Sequence, residues 1–316
     1  MALRVVLFGT PGFAVPTLER LLASSHAVVG VVTQPDRPRG RGQQLTAGPV
    51  KSLAVSHRLP AFQPEKLGRD LFEPTLASLA ADIGVVAAYG KILPDWLLET
   101  PRLGLINVHA SLLPSYRGAS PVHRAVINGD AETGVTIMRV VKALDAGPVL
   151  AAVRVPIAGD ETTMAVESRL AIQGAELLVE TLDALERGSV PETPQDESRV
   201  TCAPKITKIE GRIDWSLPAS RIHNLIRGLW PWPHAFTYLS GRRHILHRSR
   251  LSSRPAHGAD PGTIVAASAN DGLHVAAGGG TMVELLDIQL EGKRVMSARD
   301  AMASRHLVPG ARFGAS

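Results

Sequence analysis

The chain has 316 residues, 45% of them hydrophobic, and a single cysteine, enough for two domains with separate cores and too apolar for intrinsic disorder. Cys202 alone excludes an intramolecular disulfide or a paired-cysteine metal or redox motif. Charge is uneven: residues 205–316 hold 15 Lys+Arg against 8 Asp+Glu and seven of the 11 histidines, while residues 1–204 hold 19 against 21.

That imbalance suggests a near-neutral body joined to an anion-binding part, though a basic balance also serves solubility alone. Apolar runs such as Ile83–Tyr89 fall far short of the roughly 18–20 residues a bilayer needs. Met-Ala-Leu-Arg leads directly into the apolar Val5–Phe8, with no signal-peptide pattern. The sequence therefore predicts a cytoplasmic protein with no membrane segment.

In chain order, Arg4–Phe8, Val28–Thr33, Ile83–Ala88 and Leu105–His109 read as strands. Their continuous Val, Ile and Leu content suits a parallel sheet covered on both faces. Pro16–Ser24, Pro49–His57 and Leu71–Ala80 carry helical spacing between them. The alternation predicts an α/β fold, a Rossmann-like doubly wound, mostly parallel sheet. Val135–Val141 and Val149–Val155 read as further strands, and Thr163–Arg187 as a long helix stopped by Gly188. Residues 189–205 form a polar linker punctuated by Pro191, Pro194 and Pro204. Beyond it, Ala235–Leu239, His244–Arg250, Gly262–Ala267, Leu273–Ala276 and Met282–Leu290 read as a smaller C-terminal β-barrel. Ser297–Ser304 reads as a closing helix with Ser297 as its N-cap. The expected division is 1–188, a linker over 189–205, and 206–316.

Gly9-Thr-Pro-Gly12 stands where a dinucleotide fingerprint would, but lacks the G-x-G-x-x-G spacing, and Pro11 removes an N–H. A tight structural turn is the better reading. Asn107 and His109, two apart at a strand's C-terminal end, project from one face. They offer an uncharged donor for a developing oxyanion and a group that moves protons near neutrality; two side chains satisfying a strand end are the plain alternative. Ser111-Leu112-Leu113-Pro114 is suited to lining a flat ligand's pocket or to plugging the core. Tyr116-Arg117-Gly118 offers a planar donor and a close backbone approach. Asp145, in Ala143-Leu-Asp-Ala-Gly147, is either a turn aspartate or a carboxylate that holds His109 or takes up a proton. His109, His123 and Asp145 lack metal-site spacing, and no metal is expected. Arg37, Arg39 and Arg41, spaced by Pro and Gly, suit a loop closing on phosphates or a merely solvated one. Trp230-Pro-Trp232-Pro233 reads as core packing rather than a base-stacking face.

Taken together, Gly9–Ala14, the Arg37–Gly42 loop, Asn107-Val-His109, Ser111–Pro114 with Arg117-Gly118, and Leu144-Asp145-x-Gly147 resemble the folate-dependent formyltransferases. Arg212-Ile-Asp-Trp215, Pro231-Trp-Pro233, Pro261-Gly-Thr and Met296-Ser-Ala extend the resemblance nearly end to end. It implies a Rossmann-like transferase domain followed by an OB-like domain that helps hold RNA. It implies 10-formyltetrahydrofolate as co-substrate donor and the α-amino group of methionyl initiator tRNA as acceptor, for translation initiation. Asn107, His109 and Asp145 match the family's catalytic positions, Ser111, Leu112, Leu113 and Pro114 its folate-binding segment, and Arg37, Arg39 and Arg41 the tRNA-facing loop. A monomer is implied. Four positions depart from the pattern: Ser115 replaces a basic residue, Ala143 a glycine, and Gln43-Gln44 a pair of lysines. The alternatives are a formyltransferase for a small amine such as a nucleotide sugar, and a non-catalytic RNA-binding protein.

Overall fold

The computed structural model describes residues 2–39, 44–256, 258–303 and 306–314, the side chains of Arg39 and Gln44 excepted. Arg41 and Gln43 lie outside the described residues. The chain divides into two units, one of Met1–Pro121, Thr133–Pro156 and Glu167–Pro204, the other of Val122–Glu132, Ile157–Val166 and Lys205–Ser316.

The first unit carries strands β1 (Arg4–Gly9), β2 (Ala27–Val32), β3 (Arg37–Arg39), β4 (Gln44–Thr46), β5 (Ala61–Phe62), β6 (Ile83–Ala87), β7 (Leu105–His109), β8 (Glu132–Arg139) and β9 (Val149–Pro156). Its helices are α1 (Val15–Leu22), α2 (Pro49–Ser56), α3 (Arg69–Ser78) and α4 (Asp95–Glu99). α5 (Pro121–Asn128) and α6 (Thr163–Glu186) run across the boundary between units. Seven strands form a sheet in the order β5-β2-β1-β6-β7-β8-β9. β2, β5, β1, β6 and β7 pair in parallel, and β8 joins β7 antiparallel. Strand order reverses beside β1, so the carboxyl ends of β1 and β6 form the crevice where α/β sheets place ligands. β7 is the next strand along.

The apolar runs form strands because both faces are buried: Val5–Phe8 are fully inaccessible, as are Ile83, Val85 and Ile106. Phe8, Phe72, Leu76, Tyr89 and Leu97 build one cluster of this core. Gly9 begins a tight turn, as its sequence suggests. A Cβ there would meet Ala14 Cβ at 2.7 Å and the Ala87 carbonyl at 3.0 Å, and Gly12–Ala14 form one 3-10 turn. β8 starts and stops earlier than Val135–Val141, because its ladder with β7 ends at Arg139 opposite Ile106, leaving Val141 39% exposed.

In the second unit, α7 (Ala219–Gly228) precedes β10 (Ala235–Leu239), β11 (Arg242–Leu251), β12 (Ile264–Ser268), β13 (Gly272–Ala276), β14 (Met282–Leu290), β15 (Val295–Ser297) and α8 (Ala298–Met302). The strands form one antiparallel sheet, β10-β11-β14-β13-β12, with β15 on β14. Ser297 caps α8 by accepting from the Asp300 N–H while its hydroxyl donates to the Asp300 carboxylate. Trp215 stacks on Phe313 at 5.5 Å in this core. The expected tryptophan corner does not join that core. Trp232 is 47% exposed and Trp230 only partly covered, and neither is among the buried residues of the Trp215–Phe313 cluster.

Candidate active site

The carboxyl end of β7 places Asn107 and His109 on one face of the strand, two residues apart. His109 is 5% exposed. Its Nε2 lies 3.1 Å from the Tyr116 carbonyl, which can only accept, so that nitrogen carries a proton. Its Nδ1 faces the Asp145 carboxylate at 3.7 Å, beyond hydrogen-bond range. Nδ1 is therefore the ring nitrogen left without a hydrogen bond among the described residues. Among the described residues nothing hydrogen-bonds to the Asn107 side-chain amide, which leaves its two donors for a ligand.

Asp145 and Tyr116 flank the imidazole from opposite sides, and both are non-glycine residues in the left-handed region, at φ +50° and +63°. Such residues cost roughly 1–2 kcal/mol each and persist only where neighbours fix them. The Gly118 N–H donates to the Asp145 carboxylate at 2.8 Å. Gly147 must be glycine, since a Cβ there would run into the Arg139 carbonyl. Ala143 does not prevent this turn: its carbonyl accepts from the Ala146 N–H.

Ser111 is fully buried, and its hydroxyl donates to the Ser115 carbonyl at 2.6 Å. Its own carbonyl accepts from Thr136 Oγ1, which in turn accepts from the Leu113 N–H. These bonds shape the loop and leave Leu112, Leu113 and Pro114 half-buried. Leu112 packs where Gly134 leaves room on β8.

β3 and β4, the described arms of the arginine hairpin, pair antiparallel. The Arg37 side chain is exposed and donates to Gln34 Oε1 at 3.3 Å. Arg39 lies on β3. The hairpin's root is held by a polar cluster that its sequence does not advertise. Lys51 donates to both Asp36 and Gln63, and Gln63 Nε2 donates to the Gln34 carbonyl and to Asp36, each at 2.8 Å. The hydrogen bond from Lys51 holds the Asp36 carboxyl below the usual aspartate range. Gln34 donates to the Tyr89 carbonyl past the end of β6 at 2.8 Å, tying the hairpin to the crevice.

The Formyl transferase family matches residues 3–182, and its C-terminal domain residues 205–306. The chain belongs to the formyl transferase family. It is 47% identical over 98% of its length, and 97% of theirs, to a methionyl-tRNA formyltransferase of Myxococcus xanthus. A methionyl-tRNA formyltransferase of Methylococcus capsulatus is 46% identical, with 99% and 100% of the two chains covered. The N-formyltransferase of Helicobacter canadensis, solved with folinic acid and dTDP-3-aminofucose, shares the fold at TM-score 0.66 and 16% identity over 90% of this chain and 99% of that one.

As a formyl transferase, the chain brings Asn107, His109 and Asp145 together from two loci nearly 40 positions apart. His123 lies on α5, and among the described residues no three His, Cys, Asp or Glu side chains group as metal ligands. Sequence reading missed the contribution of residues 193–203. That segment, expected only to link, hydrogen-bonds back along the 114–120 loop: Thr201 and Ala203 pair with Arg117, and the Ser120 N–H reaches the Ala203 carbonyl.

Proposed function

We propose that this chain is a methionyl-tRNA formyltransferase, moving a formyl group from 10-formyltetrahydrofolate to the α-amino group of methionyl initiator tRNA. The observation that carries this reading is near-full-length identity of 46–47% to enzymes of that name, combined with an open Asn107 amide beside the His109–Asp145 pair.

The donor supplies a formyl carbon that an amine can attack. An aminoacyl ester has a weakly basic amine, much of it unprotonated near neutral pH. As the new C–N bond forms, negative charge grows on the formyl oxygen, and the Asn107 amide donates to it. One such donor contributes ~10²–10³ in rate. The proton shed by the amine passes to Nδ1 of His109, with the Asp145 carboxylate placed to accept it in turn. The bond from the formyl carbon to the donor nitrogen then breaks, that nitrogen takes up the proton the amine gave to the His109–Asp145 pair, and tetrahydrofolate leaves. Acid–base help of this kind adds ~10²–10⁴. No covalent enzyme intermediate is required, and Cys202 has no part in the reaction.

Leu112, Leu113 and Pro114 offer the half-buried apolar flank a pterin would need, with Ser111 shaping the loop. Arg37, Arg39 and Arg41 are assigned to the acceptor stem on the family resemblance of their stretch of sequence, and the positive excess after residue 205 holds the tRNA backbone. No described helix is long and apolar enough to cross a membrane; the assignment as a cytoplasmic monomer rests on the family resemblance.

The second reading, a small-amine acceptor, has the Helicobacter fold relative in its favour. Supplying the formyl donor with either methionyl initiator tRNA or a dTDP-amino sugar separates the two. The account expects product on the tRNA and none above background on the sugar; the reverse would move the assignment.

A further inference from the structure

Both residues that face the His109 imidazole are conformationally unfavourable, and both are held from the same outside segment. Gln195 Nε2 donates to the Asp145 carbonyl and to the Gly147 carbonyl, each at 2.8 Å. Gln195 Oε1 accepts from Arg117 Nη2 at 2.9 Å and Nε at 3.1 Å. Arg117 also forms a two-pronged pair with Glu197. Thr201 Oγ1 accepts from the Tyr116 N–H at 2.8 Å, and the Thr201 carbonyl accepts from the Arg117 N–H at 2.9 Å.

The chemistry leaves Gln195 one orientation. Arginine only donates and a carbonyl only accepts, so the amide oxygen must face Arg117 and the amide nitrogen the two carbonyls. Glutamate cannot donate to those carbonyls, and asparagine is a methylene shorter. One side chain therefore joins the turn that carries Asp145 to the loop that supplies the Tyr116 carbonyl and the Gly118 N–H.

We propose that Gln195 is a positioning residue for formyl transfer: it fixes the Asp145 turn against the Tyr116–Gly118 loop, so that His109 is presented with Nε2 occupied and Nδ1 open. Thr201 does the same for the Tyr116 side. The segment 193–203 is then a strap that completes the catalytic apparatus. This inference rests on the formyl-transfer reading only for its kinetic arm.

The test compares Gln195→Met, Thr201→Val and, as control on the exposed face of α6, Gln173→Met in the full chain. With the formyl donor and methionyl initiator tRNA, Gln195→Met should lower kcat by about 10–100-fold, the scale of a displacement near 1 Å. KM for both substrates should stay within about twofold, the signature of lost transition-state rather than ground-state binding. Thr201→Val, a smaller change less prone to disturb folding, should lower kcat by about fivefold on the same grounds. If Gln195 acts through Asp145, adding Gln195→Met to Asp145→Asn costs little more than Asp145→Asn alone.

A substrate-free readout accompanies this: ring-nitrogen NMR of histidine-labelled protein, with His109 assigned by its absence in His109→Ala. The His109 ring signals should move in Gln195→Met and Thr201→Val and stay in place in Gln173→Met. Unchanged ring signals with wild-type kcat, or a kcat loss that adds fully to that of Asp145→Asn, would overturn the proposal. Failure of the wild type to formylate tRNA would instead strike the functional reading, and the ring signals would still decide the positioning role.

Discussion

His109 is flanked by two residues whose backbones are costly to hold, so the residues that fix those backbones bear on the proposed chemistry as much as the histidine. Gly118 is the sharpest case. Its φ is +125°, and a Cβ would lie 2.7 Å from the Ala203 carbonyl, while its N–H holds the Asp145 carboxylate. Gly118→Ala should lose about 2–3 kcal/mol of stability in urea unfolding, from strain and clash together. Gly241→Ala, at φ +75° with open space around it, should lose only about 1 kcal/mol. Equal losses would contradict this account. At this scale the placement of Asn107 beside His109 was legible, because a strand end fixes the direction of residues i and i+2; their catalytic roles, and that of Asp145, rest on the family resemblance. Gln195 was not legible. Its partners are backbone carbonyls about 50 positions away, and nothing in a polar, proline-punctuated stretch marks one glutamine among its neighbours.

Elements were readable where burial imposes a period. The apolar strands β1, β6 and β7 fall within a residue of their sequence signals, since a strand covered on both faces tolerates almost no polar residue. α7 escaped notice although Ile222 and Ile226 sit one turn apart and are buried; Pro218 before it reads equally well as a loop. The β3–β4 hairpin is too brief for periodicity and depends on its root. Replacing Lys51 removes the donor shared by Asp36 and Gln63, loosening the arginine hairpin without touching the His109 neighbourhood. Lys51→Met should therefore raise KM for the tRNA several-fold and leave KM for the folate donor unchanged in steady-state assays. A raised folate KM with an unaltered tRNA KM would place the hairpin on the other substrate.

For the whole molecule, the second unit contains an acid-sensitive interior. His223 is 6% exposed, with Nε2 donating to the Gly159 carbonyl at 2.9 Å and Nδ1 accepting from the Ser249 hydroxyl at 3.0 Å. Burial pushes its pKa below 6.5, against the pull of the Gly159 carbonyl. Burial also lowers His234 and His244. The unfolded chain then binds more protons than the folded one below pH 6.5, so stability is full above that value and is lost as pH falls through the folded pKa values. Asp36, Asp82 and Asp214, shifted below 3.8 by their hydrogen bonds, stay ionised in this window. Tm should fall between pH 7.5 and 5.5, and His223→Gln should flatten part of that fall; an unchanged slope would remove His223 from the explanation. The two-part organisation was legible from charge and composition. The contribution of Val122–Glu132 and Ile157–Val166 to the second unit was not, because those residues sit within the run of the first domain and reveal their allegiance only through packing, as when the Thr163 hydroxyl donates to the Gly228 carbonyl at 2.7 Å.

The central claim joins one reaction to one histidine. Single-turnover formyl transfer from 10-formyltetrahydrofolate to methionyl initiator tRNA, run with wild type and with folded His109→Ala, tests both at once. The account predicts rapid product with the wild type and a loss of at least ~10² in the variant; equal rates in the two would contradict it.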